Sequence, residues 1–149
     1  MLEKKNFYIN GKWVSPSKPN DFEVIDPSTG EPFAIISLGS VEDTDKAINA
    51  AKNASETWRE TSKEQRLSLL EKFDEIYNRR WDEMVKAQST EMGAPLDYSS
   101  ETHTQVGADI SKNIIKILKD FNFEYQFDVN SNNHIRHEPI GVCGLITPW

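Results

Sequence analysis

One cysteine, Cys143, is the whole thiol content of the 149 residues. No intrachain disulfide framework can form from it, and the chain suits a reducing, cytoplasmic setting. No run approaches the roughly 20 apolar residues of a membrane-spanning helix. Met1-Leu2-Glu3-Lys4-Lys5 leads into "NFYINGKW" without the apolar stretch of a secretory signal. Neither membrane association nor export is expected. A basic stripe is missing too: 17 Lys and Arg stand against 24 Asp and Glu, for a net charge of −7. Phosphate-rich partners require clustered cations, so no nucleic acid is expected as a partner. The nearest approach to a cluster, Arg79-Arg80, reads as two cations complementing the end of a helix dipole.

Recognisable catalytic apparatus is equally scarce. Gly141 and Gly144 match neither glycine fingerprint for nucleotides, and no serine sits in a nucleophile-elbow context. His134 and His137 stand three apart on an expected strand, which sends them to opposite faces and away from a shared ion. His103 is isolated. Cys143 lies in the run "GVCGLI", which reads as a central strand, and a thiol buried there is chemically inert.

What remains is an ordinary globular mixture, 37% hydrophobic and 28% charged, in a chain of one-domain length. In "FYINGKWV", Asn10-Gly11 separates two short apolar runs and supplies the positive φ angles of a type I′ turn, so Phe7–Ile9 should pair with Lys12–Val14. A second β unit joins "FEVI" to "FAII" through the turn "DPSTG". Four helical patterns follow. Ser40-x-x-Asp43 forms a capping box ahead of a face carrying Ala47, Ala50, Ala51, Ala54 and Trp58. Thr61-x-x-Glu64 is expected to open the second helix, and Trp81 the third, which Gly93 and Pro95 should end. Val106, Ile110, Ile114, Ile117 and Phe121 mark the fourth. From Phe121 to Val129 the apolar period changes to two, with "NSNN" as turn and His134–Glu138 as the returning strand. One face of this hairpin is aromatic, with nothing nearby in sequence to cover it. Val142–Ile146 reads as a last, buried strand. The expected class is α/β.

In order and spacing, "YINGKWV", "VIDPSTGE", "EDTDKAINAAKNASETW", "TEMGAP" and "EPIGVCGLITPW" resemble the N-terminal third of an NAD(P)-dependent aldehyde dehydrogenase. Ala94 stands where that family more often has Lys. The resemblance implies three parts. Residues 1–120 are β-hairpins and the helical portion of the cofactor-binding domain, 121–139 an oligomerisation hairpin, and 140–149 the first strand of a Rossmann-like dinucleotide-binding sheet. It implies NAD or NADP as cofactor, beside Ile146, Thr147, Pro148 and Trp149, at the carboxyl end of that strand. It implies an aldehyde substrate, with Thr102 and Val106 on a helix lining its tunnel, and a homodimer or homotetramer for the complete enzyme. Some members hold a monovalent cation with two main-chain carbonyls and a carboxylate, positions that map to Val24, Ile25 and Glu91. The family's cysteine nucleophile, glutamate base and oxyanion-stabilising Asn correspond to no residue of this chain, so the 149 residues alone are expected to be inactive. Two other readings are a CoA-acylating or semialdehyde dehydrogenase, and a non-catalytic truncated protein that binds a full-length dehydrogenase through its hairpin.

Overall fold

The computed structural model describes residues 1–129 and 132–147. Strands β2 (Phe7–Ile9) and β3 (Lys12–Val14) pair antiparallel around Asn10 (φ 53°) and Gly11 (φ 74°), the turn expected from the Asn-Gly pair. Strands β4 (Asp21–Ile25) and β5 (Pro32–Ser37) pair antiparallel as well. Their other partner is absent from the sequence-based reading. Strand β1 (Leu2–Lys4) adds in parallel to the free edge of β5, giving the order β1-β5-β4. Lys5, just past β1, is bound to Asp21 at 2.7 Å. Three exposed residues show no alternation strong enough to announce a strand; the open edge of β5 recruits them through main-chain bonds.

Helix α1 (Val41–Trp58) starts on the expected capping box, with Ser40 and Asp43 exchanging hydrogen bonds. Asp43 does more than cap. It is buried at 5% exposure, and its Oδ1 accepts from both the Ser17 hydroxyl (2.7 Å) and the Ser17 N–H (2.8 Å), which ties the loop after β3 to the helix. These bonds, that from the Ser17 hydroxyl foremost, hold the Asp43 carboxyl well below the usual carboxylate range. A depressed folded-state pKa contributes stability that is present above the ordinary value near 4 and is lost as pH falls through the folded one. Melting temperatures of the wild type and of Asp43→Asn should therefore differ most at neutral pH and converge on acidification below about pH 4. Circular dichroism melts across a pH series check this, and a gap independent of pH would contradict it.

Helix α2 (Lys63–Arg79) begins one residue later than expected. Ser62, with Gln65, forms its capping box, while the Thr61 hydroxyl donates to the Trp58 carbonyl at the end of α1 (2.6 Å) and accepts from Arg66 Nε (2.8 Å). Helix α3 (Trp81–Met92) ends at Gly93, whose φ of 73° is left-handed. A Cβ there would also lie 2.8 Å from Pro27 Cγ, so glycine lets the end of α3 close on the β4–β5 turn. Helix α4 (Leu96–Tyr98) runs through a π turn (Ser99–Thr104) into α5 (Gln105–Asp120). Helices α2 and α5 lie antiparallel: Lys63 Nζ donates to the Lys119 carbonyl at one end, and the Tyr77 hydroxyl to the Thr104 carbonyl at the other. Gly107 admits the Tyr77 ring, since a Cβ would stand 3.0 Å from Tyr77 Cζ.

The aromatic hairpin is present but shorter than its alternation suggests, with β6 (Glu124–Gln126) paired to β7 (His134–Arg136). Phe121 and Phe123 meet edge to face (4.9 Å) and Phe121 also meets His137 (5.3 Å) at the hairpin root, where the His137 N–H still donates to the Phe123 carbonyl (2.8 Å). The Arg66 guanidinium of α2 sits 5.6 Å above the Phe123 ring. The root is thus partly covered by its own chain, with Phe123 half-buried and Phe121 37% exposed, while Tyr125, Phe127 and Val129 are exposed.

Candidate functional site

The expected tunnel residues fall on the π turn and the first turn of α5. Thr102, half-buried, belongs to the π turn, and Val106, four residues on, is 51% exposed. Ile110, Ile114 and Ile117 continue the exposed aliphatic face along α5. On the opposite side the π turn is pinned. Trp81 Nε1 donates to Ser100 Oγ (3.0 Å), Thr104 Oγ1 donates to Gln88 Oε1 (3.1 Å), and the Tyr77 hydroxyl takes the Thr104 carbonyl (3.1 Å). Ser99 and Thr104 are fully buried, and burial also raises the Tyr77 phenol above its ordinary pKa. The sequence-based reading took Trp81 as the start of the third helix and did not foresee the turn. Its signal is the run "SSETHT", six polar residues where two side chains had to be buried.

Val24 and Ile25 end β4 at a register shift, and Glu91 lies exposed in the last turn of α3. The contact of Gly93 with Pro27 makes these two segments neighbours. Among the described residues, no group of three His, Cys, Asp or Glu side chains could hold a metal ion.

Around Cys143 the structure departs from the expectation. Val142–Ile146 forms no strand, and Cys143 is exposed rather than buried. A strand needs a hydrogen-bonded neighbour, and none of the described strands pairs with this segment. Gly141–Gly144 instead runs past α1, leaving a groove of about 680 Å³ floored by Ala47, Ile48 and Ala51. Ile146 is 95% exposed and Thr147 is exposed. As they stand, these two residues do not enclose a dinucleotide, whose pocket must cover most of its surface. Pro148 and Trp149 lie outside the described residues, as do two residues of the hairpin turn. No described helix is long and apolar enough to cross a membrane.

A sequence model described as the aldehyde dehydrogenase family matches residues 13–149. A 3-succinoylsemialdehyde-pyridine dehydrogenase from a Pseudomonas species is 40% identical over 150 aligned residues, covering 100% of this chain and 31% of that protein. The crystal structure of an aldehyde dehydrogenase from Bartonella henselae superposes with a TM-score of 0.86 at 49% identity, covering 89% of this chain and 28% of that one. A mutant of aldehyde dehydrogenase C from Pseudomonas syringae, crystallised with NAD+ and octanal, gives 0.81 at 30% identity, with coverage of 83% and 26%. The chain spans less than a third of the length of each.

Proposed function

The chain belongs to the aldehyde dehydrogenase family, and from that premise we propose that it is the N-terminal portion of an oxidoreductase converting an aldehyde to a carboxylic acid with NAD+ or NADP+. The observation that carries this reading is the continuous match from residue 13 to residue 149, supported by a similar fold solved with NAD+ and octanal. In the complete enzyme a cysteine thiolate beyond residue 149 adds to the aldehyde carbon as a thiohemiacetal, loss of hydride leaves a thioester, and a glutamate-activated water releases the acid and frees the thiolate. A nicotinamide dinucleotide would supply the hydride acceptor. This chain's own contribution is scaffold and boundary. Ile146, Thr147, Pro148 and Trp149 form one lip of the cofactor site, in a segment that becomes a strand once a neighbouring strand pairs with it. Thr102 and Val106 face the aldehyde. The Val24 and Ile25 carbonyls with the Glu91 carboxylate suit a monovalent cation, a placement supported by the closure of α3 on the β4–β5 turn. Residues 121–139 form the arm that joins subunits of a homodimer or homotetramer.

The relative acting on a semialdehyde, at 40% identity, favours a semialdehyde as the second reading within the same chemistry. Purified enzyme encoded through and beyond Trp149 should form carboxylic acid and reduced nicotinamide in equal amounts when given aldehydes and semialdehydes in turn. Acid formation that requires coenzyme A, or reduction without acid, would overturn the assignment.

A further inference from the structure

We infer that Trp81 and Gln88 are positioning residues for aldehyde selection, acting through the π turn at Ser99–Thr104. The inference rests on the proposal that Thr102 and Val106 face the substrate. A π turn holds one residue more than the α-helix it interrupts, and such turns are rare outside sites with a use for them. Nothing in "SSETHT" favours helix strongly enough to explain it, since Ser, Thr and His all rank below the straight-chain residues. What holds it is the tertiary frame: the Trp81–Ser100 and Gln88–Thr104 side-chain bonds from α3 and the Tyr77 bond to the Thr104 carbonyl from α2. The Ser99 hydroxyl, fully buried, has no protein partner among the described residues, so the turn is not held by maximising its own bonds.

The consequence is angular. Residues of an α-helix advance by about 100° each, so removing the extra residue would rotate everything before it by that angle relative to α5. Thr102, Val106 and Ile110, spaced four apart, would share a face of an uninterrupted α-helix as well; the wider π turn, which contains Thr102, sets how far Thr102 is offset from Val106 and Ile110 on that face. Trp81 and Gln88 grip the turn on its far side, away from that face, and need not touch the aldehyde themselves.

The test uses the full-length enzyme and a series of straight-chain aldehydes of increasing length. Val106→Ala and Thr102→Val probe the face directly. Trp81→Phe removes the indole donor while keeping an aromatic ring beside Tyr77, and Gln88→Leu removes the Thr104 acceptor. All four should change the ratio of KM for long and short aldehydes, by about tenfold, the low end of a methylene contact, and Trp81→Phe and Gln88→Leu should do so with kcat near wild type. Gln88→Glu, which keeps an acceptor for Thr104, should leave the ratio unchanged. If the direct variants shift the ratio and Trp81→Phe does not, the positioning role is wrong and the substrate face stands. If neither set shifts it, the face is wrong and the inference falls with it. A uniform loss of kcat with falling melting temperature would show Trp81 and Gln88 to be structural only.

Discussion

Residues 1–149 produced alone should yield no reduced nicotinamide from any aldehyde. The family's nucleophile, base and oxyanion donor correspond to no residue here, but the second ground the sequence offered does not hold. Cys143 was expected to be buried and inert, yet its side chain is exposed. Exposure does not make it a catalyst. Its Sγ lies 3.8 Å from the Gly141 carbonyl, an acceptor that can neither take the thiol proton nor stabilise a thiolate. A reactive thiolate needs a cation, a base or a helix N-terminus beside it. Lys52 and Ser55 of α1 line the same groove, and among the described residues no hydrogen bond joins either to the Cys143 thiol. An absorbance assay for reduced nicotinamide checks the expectation. Aldehyde-dependent signal that vanishes in Cys143→Ser would overturn it, and alkylation of Cys143 by a thiol reagent without any such signal is the expected companion result.

Replacing Tyr125 and Phe127 together by Ser in the full-length enzyme should move its mass in solution to a smaller assembly. These two rings are 44% and 69% exposed, whereas Phe121 and Phe123 are engaged at the hairpin root. An aromatic side chain brings about 150–250 Å² to an interface, and apolar burial contributes about 25 cal/mol per Å². Two rings per subunit are therefore worth several kcal/mol of association, enough to change the assembly present at low concentration. Light scattering over a dilution series is the measurement. Phe123→Ser should behave differently, lowering thermal stability because it removes the ring beneath Arg66. An unchanged mass in the double variant would place the subunit contact elsewhere.

How far the sequence was legible depended on the range of the forces involved. The Asn10-Gly11 turn, the Ser40–Asp43 box and the left-handed Gly93 were all readable, because each is decided within four residues by backbone sterics and capping bonds. The second helix start shows the limit of that logic. Thr61 and Ser62 both offered capping oxygens, and the Trp58 carbonyl and the Arg66 side chain together engage the Thr61 hydroxyl. Alternation from Phe121 to Val129 announced a hairpin correctly. It could not show that Arg66, more than fifty residues earlier, would sit over the Phe123 ring at its base.

By itself the sequence determined the local turns, the helix order and the family, since these follow from short-range preferences and from a pattern spread over the whole chain. Only the tertiary structure decided the rest. It recruited β1 to the edge of β5, held the π turn against α3, buried Asp43 between two serines, and left Val142–Ile146 without a partner strand. In each case the outcome turns on whether a distant group is present to accept a hydrogen bond. Local periodicity carries no information about that.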